Sequence, residues 1–139
     1  MSILVGSVNA VGDPSCCRGL ALISTDNLTT LTVFVPKATS RDTIANLKAT
    51  SRIAVVATHP IDHSSIQMKG VAGPPRPARA DEEAIVRRGF GGFATVLNSI
   101  GIPPRVTNAV NVWPALAIEV RVEEIYDQTP GPKAGGPLR

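Results

Sequence analysis

Aromatic residues are scarce in this chain, with three Phe, one Tyr and one Trp among 139 residues. A platform for single-stranded nucleic acid needs several such rings interleaved with basic residues, so the sequence gives no support for a nucleic-acid partner. Charge of one sign is also lacking: 14 basic against 11 acidic residues leave a formal charge of +3, spread thinly rather than gathered in a block. Cysteine is confined to Cys16 and Cys17, side by side, which excludes the spaced framework of a small disulfide-held secreted fold. No apolar run is long enough to cross a bilayer as a helix. Residues Met1 to Ala10 lack the basic segment and long apolar core of a secretory leader, so the expected location is the cytoplasm with no membrane partner.

What is present is an apolar fraction of 43% against 18% charged, too apolar for disorder, on a length that suits one domain, residues 1–139. Twelve glycines and twelve prolines imply many turns. Val5 to Ala10 and Cys16 to Ile23 read as two strands around a turn at Gly12, Asp13 and Pro14. Leu28 to Val35 reads as a half-buried strand that Pro36 stops. Thr39 or Ser40 then caps a short helix carrying Ile44 and Leu47. Strands follow at Ser51 to Ala57 and Ser65 to Ala72, joined by a turn around Pro60.

Gly73 to Arg79 reads as an irregular connection. A helix from Ala80 carries Ile85 and Val86, with Gly89, Gly91 and Gly92 expected to break it before a second helical piece at Phe93 to Ile100. Trp113 to Tyr126 is the longest late strand, with Ile118, Val120 and Val122 on one face and Glu119, Arg121 and Glu123 on the other. The tail from about Asp127 is rich in Gly and Pro and is expected to be irregular. Five or six short strands with few helices match a small barrel or paired sheets. A doubly wound nucleotide fold is disfavoured, because strands and helices do not alternate and no G-x-G-x-x-G opens a helix.

The segment Pro36 to Arg41 lies between a strand and a helix start. Arginine in a first helical turn meets the positive end of the backbone dipole, a penalty that a bound anion removes. The charges of Lys37 and Arg41, the hydroxyls of Thr39 and Ser40 and free backbone N–H groups together offer what a phosphate monoester needs. A capped surface helix with a solvated arginine accounts for the same residues. Arg18, inside an apolar run, requires either solvent at a strand edge or an anionic partner. Gln67 shares one strand face with Lys69, and its amide can donate and accept at once, as recognition of a heterocycle requires; a plain polar outer face is the other reading.

The stretch LTVFVPKATSRDTIANLKATSRIAVVATHPIDHSSIQMKGVA, Leu31 to Ala72, resembles the core of the flavin-binding split-barrel family that includes pyridoxamine 5'-phosphate oxidase. The tail EIYDQTPGPKAGGPL resembles the end of an uncharacterised subgroup of that family. The resemblance spans residues 5–72 and 112–138. It implies a mainly β fold, a six-stranded split β-barrel with short flanking helices, assembled as a homodimer with FMN in clefts shared between subunits. By the same resemblance Ser40 and Arg41 correspond to the serine and basic residue that hold the FMN phosphate, with Lys37 and Thr39 assisting. Phe34 and Val35 correspond to a strand end beside the flavin, and Gln67 to a glutamine near its ring. Arg18 corresponds to a basic position on an early strand. Trp113 is placed either near the partner subunit's flavin or in the core.

Such a protein is expected to be an FMN-dependent oxidoreductase acting on a small molecule, or else a non-catalytic flavin-binding or other ligand-binding dimer for storage, sensing or interaction. Haem and a deazaflavin are alternative occupants, because related split barrels accommodate several cofactors. The oxidase itself grips pyridoxal phosphate with a late arginine-leucine-histidine arrangement, whereas this chain has no histidine after His63, so vitamin B6 oxidation is not expected. No residue is assigned a catalytic role. Three further groups have bland readings beside functional ones. His59, Asp62 and His63 with the two cysteines lack the spacing of a zinc motif and read as a turn, so no metal is expected. Arg87 and Arg88 before the glycines could meet an anion or simply end a solvated helix. Arg76 and Arg79 have no stacking platform beside them.

Overall fold

In the computed structural model, which describes residues 1–139, the run Cys16 to Ile23 is two strands rather than one. The first hairpin pairs β1 (Ser2–Val8) with β2 (Pro14–Gly19), and β3 (Ala21–Ser24) pairs instead with β4 (Thr30–Pro36). A short helix α1 (Arg41–Thr50) precedes β5 (Arg52–Thr58), β6 (Ser65–Ala72) and a two-residue strand β7 (Arg76–Pro77). Helices α2 (Glu83–Ser99) and α3 (Pro104–Thr107) lead to the long β8 (Ala115–Asp127).

The antiparallel sheet runs β2-β1-β5-β6-β8-β4-β3, with β7 added beside β8. Its two edge strands, β2 and β3, are separated in sequence only by Leu20. A sheet whose opposite edges are joined by one residue must curl until they meet, and the result is a barrel with a seam. Eight strands are present where six were expected. The split at Leu20 supplies one, and β7, which pairs Arg76 and Pro77 with Ala117 and Leu116, supplies another inside the stretch read as an irregular connection.

Two apolar clusters hold the architecture. The barrel interior is filled by Val5, Leu31, Val33, Val35, Val55, Met68, Ile118 and Val120, all at 1% exposure or less. The second cluster lies outside the barrel wall, where Val86, Phe90 and Phe93 of α2 cover Leu20, Ala21, Phe34 and Ala117. This burial explains why α2 is continuous through Gly89, Gly91 and Gly92, contrary to the expected break. The apolar stripe offsets the weak helix propensity of glycine, and Gly89 is where helix and strand come closest: a Cβ there would lie 2.6 Å from Ala21 Cβ.

Alternation in β8 follows the sequence reading from Ile118 to Val122, then changes phase. Lys69 faces Glu124 while Gly70 faces Val122, leaving Glu123 as the extra residue of a β-bulge. Glu123 and Glu124 are therefore both exposed before Ile125 turns inward. Beyond the strand, the tail folds back along it through Leu138 N–H to Ile125 O (2.7 Å) and Arg139 guanidinium bonds to the carbonyls of Asn27 and Leu28. No helix is long and apolar enough to cross a membrane.

Candidate functional site

Strand β4 ends at Pro36, and the chain makes one 3-10 turn, Lys37–Thr39, before α1 begins. Two bonds fix that turn. The Lys37 N–H donates to Pro114 O (3.0 Å), tying it to the segment that enters β8. The Ser40 hydroxyl donates to Pro36 O (2.7 Å) and is buried. Ser40 thus occupies the N-cap position without capping the helix through its side chain, which corrects the capping expectation: its proton locks the loop. Intrahelical bonding starts with Ile44 N–H on Ser40 O (2.9 Å), so the N–H groups of Arg41, Asp42 and Thr43 have no helical acceptor.

Helix α1 closes one end of the barrel. Leu47 enters the core, Asn46 donates to Ser7 Oγ (3.1 Å) and Thr50 to Val8 O (2.9 Å). With that face committed, Arg41, Ala45 and Lys48 form the opposite stripe at helical spacing. Together with Lys37, Ser40, Ile44 and Leu116 they line a hollow of about 360 Å3. Lys37, Arg41 and Lys48 are exposed, and none of them pairs with a carboxylate of the chain. Three cations, a helix start and an apolar floor therefore converge on one concavity.

The hollow gathers Lys37, Ser40 and Arg41 of the expected site residues. Thr39 is exposed in the turn and does not line it. Phe34 and Val35 are fully buried, Phe34 under α2 and Val35 in the barrel, and the Phe34 backbone lies between Ala21 and Ala117 in the ladder. Trp113 is half-buried against the outer cluster, joined by a cis peptide bond to Pro114. Lys48 and Leu116 were not anticipated. Lys48 was detectable as the residue seven after Arg41, on the same helical stripe, whereas Leu116 is brought in only by the pairing of β8 with β4 opposite Val35.

Gln67 and Arg18 lie elsewhere. In the sheet, Arg18, Leu4, Val56, Gln67 and Tyr126 stand directly opposite one another in one row across β2, β1, β5, β6 and β8. They occupy the outer face, where Leu4 is 41% exposed. The Arg18 guanidinium stacks 5.1 Å from the Phe93 ring centroid, with Nη1 buried and lacking an acceptor. Gln67 accepts a bond from Gln128 (3.2 Å). Leu116 and Tyr126 are at opposite ends of β8, on the order of 30 Å of strand contour apart, so Gln67 and the α1 hollow face different regions of one chain.

The remaining candidates resolve individually. Cys16 is exposed and Cys17 buried, as the strand period requires of adjacent residues. Burial pushes the Cys17 thiol up, partly opposed by its hydrogen bond with Thr43. His59 Nδ1 lies 3.1 Å from Asp62 Oδ1 in an exposed turn, where the Ser64 N–H and hydroxyl hold the Asp62 carboxyl below its usual range. Arg76 and Arg79 both bond Glu82 at the foot of α2.

No family model matches the sequence, and no curated protein is similar to it. Solved structures are. HupZ of Group A Streptococcus superposes with a TM-score of 0.55 at 17% identity, over 96% of this chain and 90% of that one. A candidate pyridoxamine 5'-phosphate oxidase from Lactobacillus delbrueckii gives 0.54 at 16% identity, over 90% and 83%. An F420 reductase gives 0.52 at 18% identity, over 90% and 88%. The chain has the split-barrel fold of pyridoxamine 5'-phosphate oxidase-like proteins. In this split barrel the strand-to-helix turn with its cations lies at one end of β8 and the Gln67 row at the other.

Proposed function

We propose that this split barrel binds FMN between two copies of the chain and uses it in oxidoreduction of a small molecule. The hollow along α1 carries the reading: Lys37, Arg41 and Lys48 line it without carboxylate partners, and at its Arg41 end the first-turn N–H groups have no helical acceptor. That donor set fits a phosphate monoester, whose charge near −2 matches several cations and whose oxygens accept backbone N–H bonds. Two of the structures similar in fold are named for redox enzymes, which supports the choice of a flavin over a plain phosphate ester.

The second copy belongs to this reading: Gln67 and the cation cluster lie towards opposite ends of β8, and a flavin held by its phosphate at α1 of one copy would take its ring contact from Gln67 of the other. The exposed Leu4 lies on the same sheet face as Gln67 and suits a covered surface. Bound FMN supplies hydride or electron transfer. The chain's part is to fix the phosphate through Lys37, Arg41 and Lys48, to hold the turn through Ser40, and to present an amide to the ring.

The test is titration of cofactor-free protein with FMN and with riboflavin. FMN is expected to bind at least tenfold more tightly, and Arg41→Ala or Lys48→Ala to weaken FMN about tenfold each while leaving riboflavin unchanged. Equal affinities for the two flavins, or an unchanged FMN affinity in both variants, would refute the assignment. Reduction of the bound flavin by a nicotinamide cofactor, with reoxidation by a small acceptor, separates the enzyme from a non-catalytic carrier.

A further inference from the structure

Helix α2 leaves a second hollow where it crosses β3, remote in lining from the one at α1. It measures about 280 Å3, and Ile3, Leu20, Leu22, Ala57 and Ile85 give it an apolar wall. Arg88 is the one charged side chain of that lining. Gly89 explains why the hollow stays open. A Cβ at this position would lie 2.6 Å from Ala21 Cβ and 2.9 Å from Leu20 O, so the helix backbone already touches β3 and cannot advance to fill the space beside it.

The adjacent arginines are treated differently. Arg87 donates to Glu83 from Nε (2.8 Å) and is ion-paired with it at Nη2 (2.6 Å) on the solvent side. Arg88 pairs with no carboxylate, and none lines the hollow. An apolar cavity edged by one free guanidinium is complementary to a molecule with an apolar tail and a single anionic head.

We propose that this hollow is a binding site for a medium-chain carboxylate, with the chain against Ile3, Leu22 and Ile85 and the carboxylate on Arg88. The volume equals roughly that of nine waters at ~30 Å3 each, and a methylene group takes up a similar space, so a tail of about six to ten carbons fits. The two hollows share no lining residue, so this proposal stands apart from the FMN reading.

Calorimetric titration of the whole protein with butyrate, hexanoate, octanoate and octanamide tests it. Each added methylene is expected to tighten binding about fourfold, from the apolar surface it removes from water. Octanoate should exceed octanamide about tenfold, and Arg88→Gln should erase that difference without altering the folded far-ultraviolet spectrum. Leu22→Trp, which fills the cavity from a half-buried position, should abolish binding of both. No binding of octanoate, no dependence on chain length, equal affinity for the amide, or wild-type binding by either variant would each overturn the proposal. FMN titration of the same samples keeps its failure separate from that of the phosphate site.

Discussion

Replacing Glu82 by Gln should cost this protein about 2 kcal/mol at neutral pH and change how its stability depends on acid. Glu82 is only 5% exposed, and its carboxylate accepts three hydrogen bonds, from Arg76 Nη2 at 2.7 Å, Arg76 Nη1 at 2.8 Å and the Arg79 N–H at 2.7 Å, with Arg79 Nη2 3.0 Å away as a further ion-pair contact. Hydrogen bonding from Arg76, opposed by desolvation and aided by the Arg79 N–H, lowers its pKa from 4.5 to about 2. At ~1.4 kcal/mol per unit, that displacement corresponds to ~3 kcal/mol of stability in the ionised state. Arg76 is 41% exposed, so water screens its end of the pair and the expected loss falls to about 2 kcal/mol. The folded pKa lies below the unfolded one, so the contribution is complete above pH 5 and declines as pH falls from 4.5 towards 2. More than half of it should be gone at pH 3. Urea denaturation of both proteins at pH 7 and pH 3 reads this directly. A Gln variant as stable as the wild type at pH 7, or a difference that stays the same at pH 3, would refute the reasoning. The consequence reaches the candidate site, because Arg76 belongs to β7, which pairs with β8 at Leu116, the floor of the α1 hollow.

Gly70→Ala should destabilise by about 2–4 kcal/mol in the same assay, since the new Cβ would overlap the Arg121 carbonyl at the bulge and only backbone could yield; a change below about 0.5 kcal/mol would show that the bulge tolerates a side chain. In Cys16→Ser protein the remaining thiol, buried and with its pKa raised by that burial, should react with a thiol reagent only on unfolding. Rapid modification of the folded variant would contradict the packing of Cys17.

Local chemistry was legible wherever one residue and its near neighbours decide the outcome. The alternation of Ile118, Val120 and Val122 with charged residues specifies a half-buried strand, and Pro36 followed by Lys37 to Arg41 specifies a strand end, a turn and a helix start bearing cations. The spacing of Arg41 and Lys48 also places both on one stripe, so the cation cluster is written into the twelve residues from Lys37 to Lys48. Helix α2 was misread at Gly89 because glycine's weak local propensity is overridden by a contact with Leu20 and Ala21, about seventy residues earlier in the chain.

By itself, then, the sequence determined a strand-rich chain with a turn and helix start that bear Lys37 and Arg41, since these depend on periodicity, strand-ending Pro36 and charge within a few residues. Tertiary structure alone decided the seam at Leu20, the bulge opposite Gly70, the closure of the hollow by Leu116 and the separation of Gln67 from Arg41. Each of these is set by which strand pairs with which, and pairing register depends on side chains meeting across the barrel rather than along the chain.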